Sequence, residues 1–225
     1  MFALVHLLAG VLIGLTLTRV FRDRLVIIMA AVGSVLPDLI DKPLGNIILA
    51  GTLDYGRIYC HTLLFVSVLL IAGIFLSFRY PRAGPLMLAL VAGILLHQIL
   101  DFMWLEPVNW FWPVLGPFQG YVPPGFLQNA IFAELLNPSE WISGILVLFL
   151  LVQSGVILLP GLLPYRRYAA IAGIVFGIVA IFTGEFLLVS PLTLLSSTST
   201  TVITSLVIIL GSAALWYRWP EPLPP

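Results

Sequence analysis

Cysteine and charge are the two things this sequence has least of. Its single cysteine, Cys60, excludes an intrachain disulfide and any cysteine-based zinc cluster. Charged residues make up only 9% of the 225 positions, and ten Lys and Arg balance ten Asp and Glu. There is thus no basic field for nucleic acid and no acidic tail. What fills the chain instead is apolar: 60% of the residues are hydrophobic, against about 45–50% in soluble domains. A globular core of this size cannot hide that excess, so most of the surface must face lipid. No internal repeat is evident, and the Ser/Thr run at 196–201 is too short to form a low-complexity region.

A membrane span needs about 20 mainly apolar residues. Seven stretches approach this, near 2–18, 25–40, 61–78, 86–104, 141–159, 168–189 and 202–217. The expectation is an all-α, polytopic transmembrane helix bundle forming one integral membrane domain over 1–225. Residues 1–118 supply four spans and the start of an aromatic outer loop, and 119–225 supply the rest of the loop and three further spans. The first apolar run has no basic residue before it and no small-residue cleavage site after it. It therefore reads as a helix inserted with its N-terminus outside rather than a signal peptide. Basic residues agree: Arg19, Arg22, Arg24, Arg79, Arg82, Arg166, Arg167 and Arg218 fall in one set of joints, and only Lys42 and Arg57 in the other. Cytoplasmic loops carry the excess of Lys and Arg, which puts the 105–140 joint outside. That joint has no Lys or Arg but carries Trp110, Phe111, Trp112, Phe118, Tyr121 and Phe126, the residue types found at the headgroup level.

On this map all three histidines occupy one layer at the outer face. His6 begins the first span, His61 opens the third, and His97 lies near the end of the fourth. Asp38 and Asp41 close the second span, and Asp101 follows His97 by four residues, on the same helix face. A carboxylate in a span is disfavoured by about 2.5–3.5 kcal/mol at the bilayer centre and by less near the interface. A bound divalent cation is the natural compensator. Mixed nitrogen and oxygen donors suit Zn²⁺, with Mn²⁺ and Fe²⁺ as alternatives. Cys60 adjoins His61 and would point about 100° away on a helix, so joint ligation is not expected. Asp23 and Asp54 read as solvated loop charges and Glu106, Glu134 and Glu140 as rim groups; Glu185, near the outer end of the sixth span, is a lesser candidate for an accessory base or ligand, outside the expected site residues.

The strings GSVLPDLIDKPLG (33–45), GRIYCHTLLF (56–65), GILLHQILDFMW (93–104) and FWPVLGPF (111–118) resemble the membrane-bound metal-dependent hydrolases of bacteria and archaea. That family includes a LexA-regulated inner-membrane hydrolase. The resemblance covers about 1–118 and implies His6, Asp38, His61, His97 and Asp101 as metal-site positions, with Arg57 beside them. Gly56 stands where many members have a histidine, Cys60 and Thr62 replace Thr and Ser, and Asp41 is displaced by one residue and followed by Lys42 rather than His. These departures bear on a second metal more than on a first.

The resulting expectation is a metal-dependent hydrolase of the plasma membrane, multi-pass, with its site on the extracytoplasmic side. Its substrate would be a phosphoester of a lipid or of a lipid-linked molecule, and its partner the lipid bilayer. Zn²⁺ would lower the pKa of a ligated water towards about 7. His6, Asp38, His61 and His97 would be ligands, Asp101 a ligand or general base, and Arg57 a bidentate clamp on an anionic oxygen. The rival readings are a non-catalytic membrane protein with a structural metal, and a metal-ion transporter. Transport sites usually sit near the midplane, where these helices carry almost no ionisable group.

Overall fold

The computed structural model describes residues 3–53, 55–120, 126–183 and 198–217, and among them every regular element is helical. The helices are α1 (Ala3–Phe21), α2 (Leu25–Gly33), α3 (Leu36–Pro43), α4 (Leu63–Arg79) and α5 (Ala83–Leu100), then α6 (Pro107–Trp110), α7 (Phe126–Leu136), α8 (Pro138–Gln153), α9 (Arg166–Thr183) and α10 (Thr198–Ala214). α1 runs through the middle and packs against α2, α5, α8 and α10. Its buried Val5, Leu8, Val11 and Leu15 meet Leu146 and Leu150 of α8 and Ile208 of α10. Large apolar side chains also point outward, with Phe75 71%, Phe78 86% and Phe182 86% exposed. Soluble proteins do not leave such surface facing water over whole helices, so these faces meet lipid.

Fewer helices can cross a membrane than the apolar runs suggest. Among the described residues three segments are long and apolar enough, Ala3–Phe21, Ala83–Leu100 and Pro160–Phe182. A fourth is available if Gln128–Leu136 and Pro138–Gln153, bent by 63°, form one broken span. The expectation of seven is corrected here. The run 25–40 splits into α2 and α3 because Pro37 has no N–H to donate to the Gly33 carbonyl four residues earlier and its ring crowds that carbonyl. Leu63–Arg79 and Ser199–Ala214 are apolar but shorter than a full span. Helix α7 lies inside the joint expected to hold no span.

Close helix approach fixes the register of the first half. A Cβ on Gly33 of α2 would lie 2.1 Å from the Leu90 carbonyl oxygen, and one on Gly93 of α5 would lie 2.2 Å from that of Ala30. Only glycine permits this, and small residues at crossings are how membrane helices pack without a hydrophobic drive between them. The crossing brings the Ser34 carbonyl at the end of α2 against His97 on α5. The start of α1, the end of α2 with α3, the approach to α4 and the end of α5 therefore gather at one end of the bundle. Arg19, Arg24 and Arg82 lie at the other end: Arg82 pairs with Asp23 at 2.8 Å, Arg24 donates to the Gly155 carbonyl at 3.3 Å, and Arg19 stacks over Tyr217.

Candidate metal centre

His61 and His97 face each other through their Nε2 atoms, 3.1 Å apart. Each ring is held from behind by a strong acceptor. His97 Nδ1 lies 2.8 Å from the Ser34 carbonyl oxygen, and His61 Nδ1 lies 2.8 Å from Asp41 Oδ2. A carbonyl oxygen can only accept, so His97 carries its proton on Nδ1 and presents a lone pair at Nε2; the Asp41 carboxylate orients His61 in the same way. With both rings neutral, the two Nε2 lone pairs are aimed at one point.

Asp38 Oδ1 joins them, 3.6 Å from His61 Nε2 and 3.8 Å from His97 Nε2. That oxygen is buried and accepts no hydrogen bond. Asp101 Oδ2 lies 3.9 Å from His97 Nε2. The ligand atoms of Asp38, His61, His97 and Asp101 all fall within 4.8 Å of one another. Two donors on one tetrahedral Zn²⁺ sit roughly 3.3 Å apart, so this group matches a cation's first shell with small adjustment. A cation placed between them would give both Nε2 atoms and Asp38 Oδ1 a common partner. The donor set fits a divalent metal.

His6 completes the layer. Its Nε2 is 3.2 Å from Asp101 Oδ1 and its ring centroid is 4.3 Å from that of His97. It borders the four-residue group rather than belonging to it. Glu140, at the start of α8, accepts hydrogen bonds from the backbone N–H groups of Leu4 and Val5 at 2.8 and 3.2 Å, which anchors the first turn of α1 just before His6.

Arg57 is tied to the carboxylates. Its Nη2 is 3.2 Å from Asp101 Oδ2 and its Nη1 is 2.6 Å from Glu106 Oε1. It does not share a helix face with His61, because α4 begins only at Leu63 and 59–61 is a single 3₁₀ turn. Glu106 also accepts from the Tyr55 hydroxyl and from Asn109 Nδ2. Burial would raise the Glu106 carboxyl, but the Tyr55 hydrogen bond and the Arg57 charge outweigh it, leaving it below the usual carboxylate value. Through Asn109, which exchanges hydrogen bonds with the Gln119 backbone at 2.6 and 2.7 Å, this network ties the aromatic segment to the centre.

Several positioning groups lie outside the residues expected as ligands. Asp41 is fully buried and accepts the backbone N–H groups of Ile58, Cys60 and His61 as well as the His61 ring. Gln98 donates to the Cys60 and Thr62 carbonyls at 3.1 and 3.2 Å and accepts from the Trp110 indole at 2.8 Å. Between them they fix the 58–62 turn that carries His61. Asp41 was visible in sequence as a member of the layer, whereas Gln98 is marked only by following His97. Burial and the neighbouring Asp41 push the Cys60 thiol up to about 12, and Cys60 is not among the four residues whose ligand atoms converge. Asp54 and Glu185 lie outside the described residues.

A cavity of about 160 Å³ opens against the cluster, lined by His6, Ser34, Asp38, Lys42, His97 and Glu134 with Ala3, Val35 and Leu39. Lys42 Nζ is 2.7 Å from Asp38 Oδ2 and 3.8 Å from Glu134 Oε1. Asp38, Asp101, Glu106 and Glu134 gather at this end of the bundle with Lys42 and Arg57.

No curated protein and no solved structure matches the chain. The model of the YdjM inner membrane protein family matches residues 1–183, well past residue 118 where the motif resemblance stops. The apolar helices and this match together place the chain in the plasma membrane, as a member of the YdjM inner membrane protein family.

Proposed function

We propose that the chain is a metal-dependent hydrolase acting at the extracytoplasmic membrane face on the phosphoester of a lipid or lipid-linked substrate. The observation that carries this is the facing pair of imidazole Nε2 atoms, both Nδ1 positions engaged, with the unpaired Asp38 Oδ1 beside them. Asp38, His61, His97 and Asp101 would hold the cation, Zn²⁺ first and Mn²⁺ or Fe²⁺ as alternatives. When bound, such a cation supplies Lewis acidity and acidifies water near neutral pH.

The chain's own residues supply the rest. Asp41 and the Ser34 carbonyl lock the two imidazoles. His6 and Arg57 hold Asp101 from two sides, so its geometry supports the ligand role over that of a base. Arg57 acts through Asp101 and Glu106, while Lys42, lining the cavity, is the cation nearest an entering phosphate. The cavity also favours catalysis over a structural metal, because structural sites are closed and catalytic ones keep an open side. The outward orientation is supported by Arg19, Arg24 and Arg82 at the bundle's opposite end, following the cytoplasmic excess of basic residues. The 1–225 chain acts as one integral membrane domain, since α1, which carries His6, packs on α8 and α10.

Elemental analysis of purified protein, followed by phosphate release from lipid phosphates by the loaded form, tests the reading. Bound divalent metal with turnover is the expected result. Absence of divalent metal after Zn²⁺ and Mn²⁺ supplementation would sink it.

A further inference from the structure

We propose that Glu134 is the proton donor to the leaving group, delivered by α7 across the cavity from the His–Asp cluster; this rests on the hydrolase reading above. The argument is one of elimination within a single chamber. Asp41 is committed to His61 and three backbone N–H groups, Asp101 to His6 and Arg57, and Glu106 to Tyr55, Arg57 and Asn109. Asp38 presents one oxygen to the imidazoles and the other to Lys42. Glu134 is the carboxyl left over. No hydrogen bond holds it among the described residues, its side chain is 30% exposed, and its closest charged contact is Lys42 at 3.8 Å. It lines the same 160 Å³ cavity as His6, Asp38 and His97, on the wall contributed by the second half of the chain.

A phosphoester seated between the two walls would meet the cluster on one side and Glu134 on the other. Hydrolysis then needs a proton on the departing oxygen. The P–O bond to the alcohol breaks with its electron pair on that oxygen, and Glu134 gives its proton there. Water's oxygen bonds to phosphorus, and the proton it releases restores Glu134 to its acid form. In its neutral form Glu134 also removes a negative charge from the path of an anionic substrate. The groups facing it across the cavity are Asp38 and Lys42 from α3, His6 from α1 and His97 from α5.

The test compares wild type with Glu134→Gln, which keeps the shape, and Glu134→Asp, which keeps the acid but shortens its reach. Metal content and binding of inorganic phosphate are measured first, and both should match wild type. Turnover is then followed with dodecyl phosphate, whose alkoxide must be protonated, and with 4-nitrophenyl phosphate, whose leaving group departs without help. General acid catalysis contributes about 10²–10⁴-fold, so Glu134→Gln should lose about 10²-fold on the alkyl ester and only a few-fold on the aryl ester. Glu134→Asp should fall between, and the alkaline limb of the wild-type pH profile should vanish in Glu134→Gln. Equal losses on both esters, or loss of metal in both variants, would overturn the donor role alone. If loaded wild type hydrolyses neither ester, the hydrolase reading falls and this proposal with it.

Discussion

Replacing Asp41 by asparagine isolates what holds His61 from what binds the metal. Asp41 Oδ2 lies 2.8 Å from His61 Nδ1 and accepts the backbone N–H groups of Ile58, Cys60 and His61 at 3.1, 2.9 and 3.1 Å. Asparagine can place its carbonyl oxygen where Oδ2 stands, so the turn keeps its main partner. Its amide then takes the place of Oδ1 and meets the Cys60 N–H, which sits 3.1 Å from that oxygen. The variant therefore replaces a charged acceptor by a neutral one and opposes two donors. A hydrogen bond to a charged group contributes about 1.5–3 kcal/mol and a neutral one about 1 kcal/mol. Carboxylates behind a ligating histidine are worth about 10–100-fold in metal affinity, or roughly 1.4–2.7 kcal/mol. Metal competition against a chromophoric chelator, in detergent, should show Asp41→Asn weakened by that factor while stoichiometry holds. An affinity within twofold of wild type would refute the claim that Asp41 orients His61 for ligation.

Three further outcomes follow from the same geometry. His97→Ala should strip the metal, whereas His6→Ala, which removes a partner of Asp101 rather than a member of the close group, should weaken it only about 10-fold; equal depletion in the two variants would place His6 among the ligands. Glu106 has its carboxyl held below the ordinary 4.5 in the folded protein, so it contributes stability that is present above that value and lost as pH falls through the lower folded value. Thermal unfolding in detergent should therefore drop on acidification below about 4.5, less steeply in Glu106→Gln, and parallel profiles would disprove the coupling. For orientation, Leu115→Cys in a Cys60→Ser background should react with an impermeant thiol reagent on intact cells, because Leu115 is exposed at the site end; labelling only after lysis would place the site in the cytoplasm.

The sequence by itself determined the solvent and the layer. Composition forced lipid contact, because so few charges cannot clothe a chain this apolar. Helix direction then put His6, Asp38, His61, His97 and Asp101 at one end, since each adjoins a boundary of an apolar run. Span number was not legible in the same way: hydropathy does not register that Pro37 breaks a run into two short helices, or that α7 and α8 bend apart. Only the tertiary structure could divide the layer into roles. Which acceptor backs which imidazole depends on a glycine crossing that brings the Ser34 carbonyl to His97, and on a turn folded around Asp41. Arg57, one turn before His61 if the helix were continuous, instead reaches Asp101 and Glu106, because the helix starts two residues after His61. Glu134, 33 residues beyond Asp101 in the chain, reaches the cavity because packing sets distance between helices and sequence separation does not.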